Sequence, residues 1–128
     1  MRKTNYVQKF VAEAGLDAAL IYCPANRRYL SGFTGSAGYV LITTISKIFF
    51  SDFRYAEQAQ GECKGYEIIP IKGENDVLAY LKEKKIDKLG VERDFMTLRF
   101  ADALRIISGV QILSGIDDQI VNLRMIKD

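Results

Sequence analysis

The sequence predicts an α/β fold, a single domain whose mixed β-sheet of about five to six strands is flanked by helices. Three observations predict it. Helix-like and strand-like segments alternate along the chain, two strand-like segments form a hairpin, and 128 residues are close to the length of one domain. A hairpin pairs its strands antiparallel, whereas α/β units favour parallel pairing, so we expect the sheet to contain both arrangements.

The first elements are a helix and a buried strand. Apolar residues recur at helical spacing near the start of the chain: Val7, Phe10, Val11 and Ala14. Gly15 is a natural end for this helix. Asp17 then precedes the uncharged segment 18–22, whose length and composition are typical of a buried strand.

The hairpin occupies the middle of the chain. Residues 39–43 and 47–50 are rich in β-branched and aromatic side chains, and only a few polar residues separate them. Residues 66–70 predict a further strand. It lies at an edge of the sheet or ends at Pro70, because proline cannot donate to a central ladder.

Four helices and two short strands account for most of the remaining chain. Asp52 can cap a helix that runs to about Gln60, Asn75 or Asp76 opens the next helix, and Thr97 opens the third. The inward residues predicted for the four helices are, in order, Tyr55, Ala56 and Ala59; Val77, Leu78 and Leu81; Phe100, Leu104 and Ile107; and Ile116, Ile120 and Leu123. The two strands are predicted at residues 89–91 and 111–113.

The absence of histidine excludes several kinds of site. Ser-His-Asp and Cys-His catalysis both need an imidazole, and the chain has none. Cys23 and Cys63 are too few for an all-cysteine zinc site and are expected to be reduced thiols of a cytoplasmic protein. A net charge of +2 argues against nucleic acid as a partner, and the lack of a long apolar segment argues against a membrane.

A glycine-rich segment, residues 31–38, is the first candidate for function. Glycines spaced three residues apart could present backbone N–H groups to an anion. The segment lacks the Lys-Ser/Thr pair of a P-loop and precedes a strand, whereas a phosphate loop follows one. Ser36 is not in GxSxG spacing and has no histidine to activate it. The pattern favours a tight loop that can contact another surface.

The second candidate is the segment 51–55. Asp52 can act as a helix cap and Arg54 can pair with Asp52 or Glu57; alternatively, Arg54 reaches a carboxylate on a ligand or a neighbouring chain. Spacing favours the first interpretation. The other basic residues are interpreted as solvated: Arg27, Arg28, Lys82, Lys84, Lys85 and Lys88.

Four segments of the chain resemble Xaa-Pro peptidases. Residues 26–38 are similar to the N-x-R-Y-L-S/T-G-F-x-G-S-x-G motif of the N-terminal domain that these enzymes share with prolidase and creatinase. The others resemble the family's S/T-D-x-R-Y-x-x-Q-A segment (residues 51–59), its iGfE strand (89–92) and its lR-x-iK helix (123–127), in the family's order. Two positions depart from the pattern: Phe53 replaces a common glycine, and Arg27 replaces an apolar residue.

The resemblance implies the place of this chain in a larger protein. It assigns residues 1–128 to a creatinase/prolidase-type N-terminal domain with a ribonuclease H-like motif. The C-terminal pita-bread catalytic domain is then absent from this chain, which would be truncated near residues 115–128. In the family that domain binds two divalent metals, expected to be manganese, and hydrolyses the bond before proline. We expect no catalytic residue, metal ligand or cofactor in the chain itself, and no activity from it alone.

The resemblance also implies partners and contact residues. The expected partners are the protein's own C-terminal catalytic domain, a second subunit in a homodimer, and short proline-containing peptides as substrate. Six residues are expected at the active-site entrance or a subunit interface: Tyr29, Phe33, Thr34, Ser36, Arg54 and Tyr55. Phe33 is expected to be exposed there, with Arg54 and Tyr55 supporting its loop from the next helix.

Alternatives to this interpretation stay open at the level of sequence. The parent enzyme is a dipeptidase or an aminopeptidase, since both share this domain. The chain could also be the N-terminal domain of a creatinase-like amidinohydrolase, which cleaves a guanidino substrate, or a stand-alone module that binds peptides or proteins. The glycine-rich and Asp-x-Arg-Tyr motifs favour the peptidase.

Overall fold

The computed structural model describes residues 2–125, which form one α/β domain with a six-stranded sheet between two layers of helices. The helices are α1 (Arg2–Glu13), α2 (Pro24–Ser31), α3 (Ala56–Glu62), α4 (Glu74–Glu83), α5 (Leu98–Ile106) and α6 (Asp117–Met125). The strands are β1 (Ala18–Ile21), β2 (Tyr39–Thr43), β3 (Lys47–Asp52), β4 (Glu67–Ile71), β5 (Lys88–Val91) and β6 (Ile112–Gly115). A 3₁₀ turn, Phe53–Tyr55, joins β3 to α3.

The sheet is mixed, as predicted. Its strand order is β4-β3-β2-β1-β5-β6, with β2 antiparallel to both of its neighbours and the other pairs parallel. All described strands except β2 therefore point the same way, and their carboxyl ends meet at one edge together with the start of β2. We call this the carboxyl edge. It includes Tyr22, Gly38, Phe53, Lys72 and Glu92, each of which adjoins a strand end.

Alternate residues of the strands enter two apolar layers. Ala19 and Ile21 of β1 belong to the layer that contains buried residues of α1, α2, α3 and α6. Ala18 and Leu20 belong to the opposite layer, which contains residues of α4 and α5. Because each fully buried aliphatic side chain stabilises a fold by about 1.5–3 kcal/mol, the two layers supply most of the driving force for folding.

Most of the predicted elements are confirmed. The β2–β3 hairpin, the position of β4 at an edge and the final helix α6 all occur as expected. Thr97 caps α5, since its hydroxyl accepts the Phe100 N–H at 3.1 Å. Residues 126 and 127 of the predicted lR-x-iK helix lie outside the described residues.

One helix was not predicted, and two expectations about inward-facing residues are wrong. The sequence did not predict α2, which begins at Pro24 and ends at Gly32, whose left-handed φ of 81° lets its N–H reach the Arg28 carbonyl. Tyr55 and Ile107 were expected inside but are 46% and 48% exposed. Each lies just outside a helix, since α3 begins after the 3₁₀ turn and α5 ends at Ile106.

The cap expected for α4 also differs, because the helix starts at Glu74 after Gly73. The Asp76 carboxylate instead accepts the Lys72 N–H at 2.7 Å, so it tightens the turn that leads into the helix. Among residues 2–125, none of the helices combines the length and the apolar composition needed to cross a membrane.

Candidate functional site

Both segments singled out in the sequence lie at the carboxyl edge. The loop 32–38 connects α2 to the start of β2, and the 3₁₀ turn 53–55 follows the end of β3, the neighbour of β2. A small cavity of about 140 Å³ lies between residues 37–39, Asp52 and residues 71–74. The fold therefore brings residues of both segments into the lining of one depression, which the sequence could not place.

The outer side of the loop is held by α3. The Glu62 carboxylate accepts the Thr34 N–H at 2.8 Å and the Thr34 hydroxyl at 3.0 Å, and the Gln58 amide donates to the same hydroxyl at 3.3 Å. The bond from the Thr34 N–H lowers the pKa of Glu62. The support for this loop thus comes from Glu62 and Gln58, whereas we had expected it from Arg54 and Tyr55.

Phe33 is buried, so the expectation that its ring is exposed is wrong. The ring is 1% exposed and packs against Phe49 of β3 at a centroid distance of 4.9 Å. A Cβ at Gly35 would overlap this ring, which explains the glycine at that position. The loop folds back over its own phenylalanine, and its exposed residues are Gly32, Thr34, Ser36 and Ala37.

Arg27 is also buried, although the sequence predicted a solvated side chain. It is 5% exposed and lies beneath the loop. Its Nη1 donates to the Tyr22 and Gly38 carbonyls at 3.2 and 3.4 Å, and its Nη2 donates to the Gly35 carbonyl at 3.3 Å. Burial lowers the pKa of this guanidinium, with opposing contributions from nearby groups that include Glu92.

Glu92, directly after β5, anchors the start of α2. Its carboxylate is 1% exposed and accepts the N–H groups of Tyr22 and Cys23 at 2.8 and 2.9 Å and the Asn26 amide at 2.8 Å. These bonds satisfy backbone donors at the junction of β1 and α2, where Cys23 provides no side-chain cap. The iGfE and N-x-R-Y-L segments are therefore parts of one structural unit.

Tyr29 points away from the loop tip and toward the C-terminal helix. Its hydroxyl donates to the Leu123 carbonyl at 3.3 Å, and the Lys3 ammonium lies 4.4 Å from its ring centroid. Arg124 of α6 donates to the Asn26 side chain at 3.0 Å. Helices α2 and α6 are thus joined through both ends of the segment 26–29.

Arg54 and Tyr55 form an exposed, pre-arranged pair. The Arg54 guanidinium makes two bonds to the Asp52 carboxylate, at 3.0 and 2.9 Å, and lies 5.5 Å from the Tyr55 ring centroid. These bonds lower the pKa of Asp52 and raise that of Arg54. The predicted pairing of Arg54 with Asp52 is confirmed, and Phe53 beside it is 59% exposed.

Residues 2–125 form no metal site, and two of their titratable groups, Cys63 and Tyr22, are neutral. Residues 2–125 include no group of three or more Cys, Asp or Glu side chains placed to hold a metal ion. Cys23 and Cys63 are free thiols, and burial raises the pKa of Cys63 to about 11, so this thiol is protonated near neutral pH. Burial and Glu92 raise the pKa of Tyr22 to about 12, so its phenol is also neutral.

Sequence reasoning missed Arg27, Glu62 and Glu92 as residues that shape this edge. A signal existed for Glu92, because it is the charged residue of the iGfE segment and directly follows a buried strand. Pro24 and Gly32 are standard boundaries of a helix and could have revealed α2. No pattern in the sequence pairs Glu62 with Thr34, since 28 residues separate them.

Comparisons with known proteins agree on one family. The chain matches the creatinase/prolidase N-terminal domain over residues 4–126. An uncharacterized peptidase, YqhT, of Bacillus subtilis (strain 168) is 34% identical over 128 residues, with 98% of this chain and 36% of that protein covered.

Solved structures give the same result. An Xaa-Pro dipeptidase from Bacillus anthracis is 35% identical with a TM-score of 0.88, over 100% of this chain and 36% of that one. The N-terminal domain of the cytoplasmic peptidase PepQ from Mycobacterium tuberculosis H37Rv is 29% identical with a TM-score of 0.84, over 96% and 98% of the two chains. This chain therefore spans 36% of the length of the Bacillus proteins it matches.

Proposed function

Because this chain belongs to the creatinase/prolidase N-terminal domain family, we propose that it is the non-catalytic N-terminal domain of a longer Xaa-Pro peptidase. In the complete protein, a C-terminal domain would hydrolyse the peptide bond that precedes proline in a short peptide. The observation that carries this proposal is the match of the whole chain to 36% of an Xaa-Pro dipeptidase with the same fold. Catalysis is assigned to the C-terminal part of the longer protein, which corresponds to the part of the dipeptidase that this chain does not match.

The metals of such an enzyme are assigned to that same C-terminal part. The described residues do not fit a metal centre, because no suitable group of Cys, Asp and Glu side chains occurs among residues 2–125. The chain also has no histidine. The family resemblance favours two divalent ions, with manganese as the proposed metal, and no step of the reaction is assigned to residues of this chain.

The proposed task of the carboxyl edge is to control access to the active site or to contact a second subunit. Thr34, Ser36, Arg54 and Tyr55 are exposed there, and Phe33 supports the loop from below. An arginine and a tyrosine that are already held in place lose little entropy on binding, and such residues often carry the binding energy of interfaces. Short peptides that contain proline are the proposed substrates.

Tyr29 has a separate proposed role. It connects α2 to the Leu123 carbonyl of α6, the helix that would lead into the C-terminal domain. We therefore assign Tyr29 to the contact between the N-terminal and C-terminal domains. A homodimer in the cytoplasm is the proposed state of the complete enzyme.

Two measurements test the proposed function. The coding sequence after Asp128 should encode the family's metal ligands, two Asp, one His and two Glu in order. Their absence would overturn the peptidase proposal in favour of a creatinase-like enzyme or a binding module. The isolated chain, with manganese and an Xaa-Pro dipeptide, should show no hydrolysis above buffer; turnover that follows the folded chain through purification would contradict the assignment.

A further inference from the structure

The loop 32–38 is held by side chains and not by backbone–backbone hydrogen bonds. In the described chain, residues 33–38 make no backbone–backbone hydrogen bond. Their backbone groups bind side chains instead: the Phe33 N–H binds Ser31, the Thr34 N–H binds Glu62, and the Gly35 and Gly38 carbonyls bind Arg27. Both ends of the segment 35–38 are therefore held by one guanidinium.

That guanidinium has no carboxylate in direct contact among the described residues, although the charge of Glu92 nearby favours it. Within residues 2–125 no carboxylate forms an ion pair with Arg27, and the nearby Glu92 carboxylate already accepts from Tyr22, Cys23 and Asn26. The Arg27 Nε atom is buried and has no hydrogen-bond partner in this part of the chain. A buried cation whose hydrogen-bond acceptors are all carbonyl groups is costly even with the favourable charge of Glu92 nearby, and an apolar side chain of similar volume would fill the same space at lower cost.

We propose that Arg27 is the positioning residue of the loop 32–38. By holding the Gly35 and Gly38 carbonyls, it turns them toward the protein interior and sets where Ser36 and Ala37 stand at the carboxyl edge. The planar fork of arginine suits this task, because its two terminal nitrogens reach carbonyls on either side of the bend. The ordering of the loop by Arg27 does not depend on the proposed function, whereas its effect on substrate does.

The first experiment measures loop order in the 128-residue chain. Wild-type protein, Arg27→Met, Arg27→Lys and the exposed control Arg105→Met are compared by backbone ¹⁵N relaxation. We expect order parameters of about 0.85 at residues 35–38 in wild type and below ~0.6 in Arg27→Met, with the sheet unchanged. Arg27→Lys should be intermediate, because it keeps the charge and loses the fork. Arg105→Met should match wild type.

A rescue experiment separates positioning from space filling. Guanidinium added to Arg27→Ala well below denaturing concentration should restore order at residues 35–38, and the same concentration of urea should not. An ordered loop in folded Arg27→Met would overturn the proposal, and so would failure of both Arg27→Met and Arg27→Lys to fold, because Arg27 would then be a core residue. Equal rescue by urea would also overturn it.

The second experiment tests the consequence for substrate. This chain replaces the matching part of the Bacillus anthracis Xaa-Pro dipeptidase, and hydrolysis is measured with and without Arg27→Met. A displaced loop should raise KM about tenfold with kcat nearly unchanged, since the chemistry lies in the other domain. Loop disorder without a change in KM would uphold Arg27 as the positioning residue and contradict the access role of the loop.

Discussion

The two connections of β2 are held in opposite ways. The turn that follows it closes locally: the Thr43 N–H binds the Ser46 carbonyl at 2.9 Å, and the Thr43 hydroxyl accepts the N–H groups of Ile45 and Ser46 at 3.2 and 2.9 Å. The loop that precedes β2 is closed by side chains from other elements, above all Glu62, 28 residues from Thr34. The first connection is closed mainly by its own residues, with one long bond from Gln8 of α1 to the Ser46 carbonyl at 3.5 Å, whereas the second needs the folded domain.

Their apolar residues differ in the same way. Ile45 at the tip of the turn is 91% exposed, and Phe33 in the loop is 1% exposed. A turn that is closed by hydrogen bonds among its own residues can leave its apolar side chain in solvent. A loop without such bonds is stabilised partly by the burial of an apolar side chain.

The largest expected effect comes from removing the buried ring. Phe33→Ala should lower the free energy of unfolding of the 128-residue chain by about 3–5 kcal/mol, because it leaves a cavity against Phe49. Ile45→Ala is the matched control and should change it by less than about 0.5 kcal/mol. Chemical denaturation measures both. Equal changes in the free energy of unfolding would contradict the view that the loop depends on a buried side chain and the turn does not.

A smaller effect is expected from adding a methyl group inside the loop. Gly35→Ala places a Cβ against the Phe33 ring and should cost about 1–3 kcal/mol through displacement of that ring. Gly61→Ala in α3 has open space around it and should stabilise the chain by up to about 1 kcal/mol, since alanine favours a helix. If Gly35→Ala left the free energy of unfolding unchanged, the loop would accommodate the added methyl group without displacing the Phe33 ring.

The smallest effect is expected from acid, which should weaken only the contact between Thr34 of the loop and Glu62 of α3. The pKa of Glu62 is lowered in the folded state, so its bonds to Thr34 stabilise the loop above the ordinary pKa range of a glutamate and are lost as the pH falls through the lowered value. The amide resonance of Thr34 should therefore shift in acid, while that of Ser46 in the turn stays constant.

Glu62→Gln is the control for this titration, because it keeps the shape of the side chain and removes the charge. The acid shift of the Thr34 resonance should disappear in this variant. A shift that persists would mean that another group titrates against the loop.

Local patterns were sufficient for most of the fold. The helical spacing of Val7 and Val11 predicts α1, and the dense β-branched and aromatic residues of 39–43 predict β2, because each element needs one apolar face or run to meet the core. Helix α2 escaped this reasoning. Besides its capping residues it has few apolar side chains, and it is anchored by Glu92, 69 residues from Cys23.

The candidate site could be located but not assembled from the sequence. The motifs at 31–38 and 51–55 indicated both segments, and the family resemblance indicated what kind of domain carries them. The predicted burial was wrong for two side chains. Arg27 was expected in solvent and is buried, and Phe33 was expected at the surface and lies in the core.

What the sequence by itself determined is the order and type of most elements and the family of the chain, because these depend on spacing within a few residues and on motifs in the family's order. Which side of the loop faces inward was decided only in the tertiary structure. Phe49 supplies an apolar partner for Phe33, Glu62 an acceptor for Thr34, and the bend at residues 35–38 two carbonyls for Arg27. These groups are distant in the chain and become neighbours only when the sheet forms, so their energies have no local signature in the sequence.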